Sequence, residues 1–188
     1  MRLRRFLPPS PTLLLLAGFS ILAALVGSAF VDPLWMMLVP AALLLIPGVQ
    51  ALRRAGPPSV RRPGPLGAFV LQLSCGALLA LNLVGALAQV RFGVEPRWFP
   101  RWLTWTSIAF VGGAALLGAG IARSRGAPRL AGATLAASLP LGLASDQVLS
   151  KIPGIFLYGW GFYAGLGIFA LCLVWIALRI SSRSVWSG

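Results

Sequence analysis

Histidine is absent from this 188-residue chain, and only three acidic residues occur in it: Asp32, Glu95 and Asp146. The first absence removes the commonest metal ligand, the usual haem ligand and the side chain best suited to moving protons near neutral pH. The second leaves no paired carboxylates for acid–base catalysis and no acid cluster that could hold magnesium. Cysteine is almost as scarce. Cys75 and Cys172 stand alone in the middle of apolar runs, without a CxxC or Cys/His spacing, and read as small core residues. No Gly-x-Ser-x-Gly elbow and no phosphate-binding loop is found. The expectation is a protein that is not an enzyme, with no catalytic residues, no cofactor and no metal site.

What the chain does contain is apolar sequence. Hydrophobic residues make up 58% of it and charged residues 10%, with a mean hydropathy of +0.87. A bilayer core about 30 Å thick is crossed by about 20 apolar residues in a helix, and in hydrocarbon only a helix or a closed barrel satisfies the backbone. Six stretches are long enough: 11–30, 33–52, 66–90, 102–122, 130–149 and 154–178. Nothing is left over for a soluble domain. The fold expected is therefore an all-α integral membrane protein, residues 1–188 forming one polytopic bundle of six transmembrane helices.

A net charge of +13 in a soluble protein would point to nucleic acid, but the basic residues here sit in the connections between spans, so no nucleic-acid partner is expected. With the amino terminus inside, twelve of the sixteen basic residues fall on inner segments. Arg91, Arg97, Arg101 and Lys151 fall outside. The asymmetry puts both termini in the cytoplasm, in a multi-pass protein of the cell membrane whose surroundings are the lipid bilayer. Arg2, Arg4 and Arg5, followed by an apolar run and by Gly27, Ser28 and Ala29, also have the pattern of a cleavable signal peptide. The run from Thr12 exceeds the usual signal core of about 7 to 15 residues, which favours a retained helix.

The outer connection 91–101 carries Phe92, Trp98 and Phe99 with Pro96 and Pro100, and Trp102 and Trp105 follow. This is an interfacial aromatic belt, or alternatively a surface helix covering a cavity. The inner connection 53–65 combines four arginines with four prolines, as a stop-transfer cluster or a contact for anionic headgroups. Spans two and four share a loose Pro-x-Trp and Ala-Ala-Leu-Leu pattern, but the alanines are displaced by six residues, against an internal duplication.

Polar side chains inside spans are costly in lipid and turn toward protein or a wet cavity. In the third span Cys75, Asn82 and Gln89 repeat every seven residues and stay within about 40° of one another, with Gln72 at the edge of the same face. In the fifth, Thr134, Ser138 and Ser145 form a companion face, and Pro140 frees a carbonyl one turn earlier. Each face either lines a solute site or hydrogen-bonds the bundle together. Asp146 lies about three residues from the outer end of its span. A rim ion pair with Lys151, Arg97 or Arg101 is the reading preferred over a deeper substrate or proton site. In the sixth span Gly161-x-x-x-Gly165 permits close helix packing, while Tyr158, Gly165 and Cys172, spaced by sevens, offer a lipophilic lining.

Two functions fit these features. One is a small permease or solute-binding membrane subunit for a small or lipophilic compound, enclosed by the third, fifth and sixth helices. The other is a non-catalytic structural or assembly subunit packed against another membrane protein through glycine and alanine faces. Ser20, Ala24 and Ser28 stand at four-residue intervals in the first span. With the six-span layout, that spacing resembles the substrate-capturing components of energy-coupling-factor vitamin importers, and the resemblance extends to layout alone.

Overall fold

The computed structural model describes residues 10–27, 34–55, 64–93, 97–124, 129–149, 151 and 160–185. These form six α-helices: α1 (Ser10–Gly27), α2 (Leu34–Ala55), α3 (Gly64–Phe92), α4 (Phe99–Ala122), α5 (Arg129–Leu149) and α6 (Trp160–Val185). Each helix packs on its sequence neighbours, and α1 also packs on α6, so the up-and-down bundle closes into a ring. The start of α1 and the end of α6 lie at one end of it, the proximal end; the end of α3, the start of α4, the end of α5 and the start of α6 lie at the other, the distal end.

Three stretches are long and apolar enough to cross a membrane: Gly64–Phe92, Phe99–Ala122 and Gly161–Arg179. The sequence alone predicts six. Among the described residues α1 and α2 contribute the shorter apolar stretches Pro11–Val26 and Val39–Gln50. In α5 the apolar character is diluted by Thr134, Ser138, Ser145, Asp146 and Gln147 within 21 residues. The helix α3, with 29 residues, is about 43 Å long at 1.5 Å per residue.

Helix boundaries follow local chemistry. Gly93 adopts φ +70° and donates its N–H to the Gln89 carbonyl at 2.9 Å, the left-handed glycine stop that terminates α3. The helix α4 begins at Phe99, three residues ahead of the expected start, because Pro100 is well placed in a first turn where its missing N–H costs nothing. Trp102 and Trp105 therefore belong to the helix. Pro40 and Pro47 sit inside α2 and Pro140 inside α5, and both helices run through them.

Glycine makes the close approaches possible. On the α4–α5 seam a Cβ at Gly118 would collide with the backbone nitrogen of Ala136, and one at Gly132 would stand 2.5 Å from that of Ala122. On the α3–α4 seam a Cβ at Gly113 would stand 2.6 Å from the Leu71 nitrogen. The α5–α6 seam pairs Gly142 with Gly161 and Gly165. These are small-residue contacts at four-residue spacing, the arrangement that lets backbones meet without a hydrophobic driving force. One contiguous apolar core, including Leu14, Leu45, Leu71, Leu117, Leu135 and Phe169, fills the proximal and middle parts of the ring.

Candidate functional site

The core side of each helix can be followed outward in steps of seven residues, which keep direction to within about 20°. On α3, Cys75 is 1% exposed, Asn82 is half-buried and Gln89 is exposed. On α4, Leu117 is buried, while Phe110 and Leu103, at seven-residue steps from it, are half-buried; Ala114 is buried and Ser107 half-buried. On α6, Phe169 is buried and Phe162 half-buried. The α4-facing side of α5 carries Ala136, in contact with Gly118, and seven residues further out Leu143, which is 37% exposed.

The lines followed on α3, α4 and α5 become more exposed toward the distal end, whereas Leu166 on α6 and Ile21 and Ala24 on α1 stay buried there. Among the described residues of the distal half, α3 buries only Gly85, α4 only Phe99 and Thr106, and α5 only Gly142 and Asp146. Those buried positions include the ones facing the hairpin partner: Gly85 lies against the Phe99 ring, and Gly142 lies against Gly161 and Gly165. The tilted ring pair Phe110 and Phe169 joins α4 to α6, with centroids 5.9 Å apart.

The members of the third-span stripe do different things. Gln72 donates from Nε2 to the Ile46 carbonyl of α2 at 2.8 Å, an interhelical bond. Cys75 is packed in the core. Asn82 has no hydrogen-bond partner among the described residues, and the same is true of Ser107. Gln89 lies at the rim.

The fifth-span face is not brought together. Ser138 is buried, Thr134 half-buried and Ser145 exposed, and their hydroxyls donate to Leu135, Leu130 and Leu141 carbonyls of their own helix. The packed seam of α5 advances by fours, through Ser138, Gly142 and Asp146, so a seven-residue step from Ser138 leaves it at Ser145. In α6, Gly165 packs on Ser138 and Gly142 and Cys172 is buried. Tyr158 lies outside the described residues, as does Ser28 of the first-span pattern.

Asp146 is placed differently from the expectation. It is buried, and its partners are main-chain amides. Gly161 N–H donates to Oδ1 at 2.8 Å and Phe162 N–H donates to Oδ2 at 2.9 Å. The first turn of α6 has amides with no intrahelical acceptor and carries the positive end of the helix dipole, so a carboxylate from α5 serves as its cap. Arg97, Arg101 and Lys151 are exposed and make no ion pair with it among the described residues. Gly161 is what admits the carboxylate, since a Cβ there would stand 2.9 Å from Oδ1. Acid and glycine are 15 residues apart, across a connection whose length no periodicity argument could bridge.

At the distal rim, Trp98, Trp102 and Trp105 are exposed, Trp98 and Phe99 stack at 6.3 Å, and the Arg91 guanidinium lies 5.9 Å from the Phe92 ring centroid. No family model, curated protein or solved structure matches this chain.

Proposed function

We propose that this chain is a multi-pass protein of the cell membrane in which all six helices cross the bilayer and both termini are cytoplasmic, acting as a small permease or solute-binding subunit for a small or lipophilic compound. Three helices have the length and apolarity to span, and α1, α2 and α5 run antiparallel beside them around the same ring, which carries them through the same slab. Twelve of the sixteen basic residues belong to proximal segments, as expected for the cytoplasmic face. Large apolar side chains such as Leu73, Leu83, Leu87 and Val90 are exposed on α3, which suits lipid as the surrounding solvent.

The observation that carries the solute reading is the pair of half-buried polar side chains, Asn82 of α3 and Ser107 of α4, that no protein group engages among the described residues. A few uncharged polar groups among apolar and aromatic side chains are the usual composition of a small-molecule site. Cysteine labelling tests it. Cys75 and Cys172 are buried, so an impermeant maleimide applied to intact cells should leave the parent protein nearly unlabelled. Asn82→Cys and Gln89→Cys should react roughly tenfold faster or more than Cys75, because reaction requires access of the reagent to the thiolate. If Asn82→Cys labels no faster than Cys75 from the outside, the bundle is closed there and the solute reading fails.

A second reading, a partner-binding subunit, is favoured by Gly76 and Gly112. Both are exposed, and nothing stands within 4 Å of where a Cβ would be. Glycines left open on outer helix faces leave room for a helix of another membrane protein.

A further inference from the structure

Three close approaches fix how α3 and α4 lie side by side: Gly67 against Leu117, Leu71 against Gly113, and Gly85 against the Phe99 ring. All three keep one antiparallel register. It sets Arg101 about level with Leu83 of α3 and Arg97 about level with Leu87, Trp98 being in the αR conformation that carries the helical path back toward Arg97.

The outer side of α4 carries one stripe at steps of three and four: Arg97, Arg101, Trp105, Ile108 and Gly112, all exposed. The buried residues Phe99, Thr106, Ala114 and Leu117 lie on the other side. Eleven residues, three helical turns, separate Arg101 from Gly112, which therefore lies beneath the arginine and about 16 Å nearer the proximal end. Nothing stands within 4 Å of where a Cβ of Gly112 would be. The distance is about half of a hydrocarbon core about 30 Å thick, the depth of one leaflet.

The two helices differ in where their outward surfaces turn polar. On α3, Leu83, Leu87 and Val90 are exposed and apolar, whereas α4 presents two guanidiniums level with the first two of these. Arg101 thus lies roughly 10 Å, about seven residues, short of Val90. A guanidinium beside an apolar, lipid-facing surface is costly unless its stem reaches the headgroups or an anion comes to it. Among the described residues Arg97 and Arg101 make no ion pair, and both oxygens of Asp146 accept α6 amides. Glu95 and Asp32 lie outside the described residues. Asp32 precedes α2, which does not neighbour α4 in the ring, and one carboxylate from Glu95 leaves at least one of the two guanidiniums unneutralised.

We propose that the outer face of α4 binds an anionic phospholipid of the distal leaflet. Its phosphate pairs with Arg97 and Arg101, its glycerol region lies against the exposed Trp102 and Trp105, and one acyl chain follows Ile108 to the open face at Gly112. Guanidinium forks match phosphate oxygens. A zwitterionic headgroup would bring a further cation against two arginines, which disfavours it, and an apolar stripe one leaflet deep favours a lipid over a soluble phosphate. The proposal rests on α3 and α4 crossing the membrane and is independent of the solute reading.

The test uses the full chain in nanodiscs of equimolar phosphatidylcholine and phosphatidylglycerol, released into mild detergent, with retained lipid counted by native mass spectrometry. Phosphatidylglycerol should be retained in preference to phosphatidylcholine. The double substitution Arg97→Gln with Arg101→Gln should lower that retention at least tenfold, while Arg123→Gln with Arg129→Gln, exposed at the proximal end, should change it less than about twofold. Gly112→Leu fills the acyl path from an open position without altering charge and should lower retention roughly fivefold. It also covers the case in which the double arginine variant does not fold. Equal retention of the two lipids, equal losses from the distal and proximal arginine pairs, or full displacement by soluble glycerol phosphate each overturns the proposal. So does a protein chain held at this face in place of lipid and released by Gly112→Leu. None of these outcomes bears on maleimide access at Asn82→Cys, so the solute reading stands or falls separately.

Discussion

The two ends of the bundle are built from the same residue types and behave differently. Proximally, α3, α4 and α5 are joined by seams in which glycine faces main chain: Gly113 against Leu71, Gly118 against Ala136, Gly132 against Ala122. Distally, Gly85 faces the movable ring of Phe99, and no glycine contact joins α4 to α5. Backbone against backbone fixes a distance, because neither side can rotate away; backbone against a ring leaves freedom to adjust. Beyond the proximal glycine seams, the lines followed on α3, α4 and α5 become more exposed. The α5–α6 hairpin is the exception that stays zipped to its distal end, through Gly142, Gly161 and the Asp146 cap.

The largest effect should come from adding one methyl group to the sealed end. Gly118→Ala puts a Cβ into the backbone nitrogen of Ala136 and 2.7 Å from the Gly132 carbonyl oxygen. Helix separation should cost about 2–3 kcal/mol, read as a loss of monodisperse protein or a lower unfolding midpoint in detergent. Gly112→Ala, six residues away on the same helix with open space around it, should be neutral or stabilising by about 0.5–1 kcal/mol through helix propensity alone. Equal effects from the two substitutions would mean that the α4–α5 seam is not where the bundle is held.

Next in size is the Asp146 cap. Asp146→Ala leaves the Gly161 and Phe162 amides without side-chain acceptors at a helix end, a loss of about 1–2 kcal/mol. Asp146→Asn keeps one acceptor oxygen and should lose less. Hydrogen exchange is the direct readout: the Gly161 and Phe162 amides should exchange faster in Asp146→Ala while those of Phe169 and Leu173, inside the apolar core, change little. Unaltered exchange at Gly161 would remove the cap from the account. An ion pair at the rim would instead predict that salt mimics the substitution, since exposed pairs are screened.

How far this arrangement could be read from the chain depends on the range of each signal. Helix existence was legible, because apolar runs and their breaks are local. The core position of Cys75 was legible for the same reason, as a small apolar residue in the middle of an apolar run; Gln89, two heptads on, is exposed. The α5 face was misjudged: Ser138 and Ser145 share a heptad, but the glycine seam advances by fours, and which spacing wins depends on the neighbouring helix. Asp146 was singled out as an unusual acid. Its partners were not foreseeable, because backbone amides have no letter in a sequence, and the nearby Gly161 was read only as a packing residue. The glycine seams depend on which small residues of separate helices meet, a property of pairs.

The smallest expected effect concerns Gln72, the one stripe residue that ties helices together at the sealed end. Its Nε2 reaches the Ile46 carbonyl, the acceptor of an amide whose nitrogen belongs to Pro47 and has no hydrogen. Interhelical hydrogen bonds in membrane proteins contribute about 0.6 kcal/mol on average, because the separated helices find other partners. Gln72→Leu should therefore shift the unfolding midpoint only slightly and leave thiol access at Asn82→Cys unchanged, since the lost bond joins α3 to α2 ten residues earlier along α3. Asn82→Leu, whose side chain has no partner among the described residues, should do the opposite, with little change in stability and a marked change in solute binding. If Gln72→Leu instead opens the bundle to maleimide at Cys75, the proximal end is held by hydrogen bonds as much as by glycine contacts, and the contrast between the two ends rests on polarity rather than on packing.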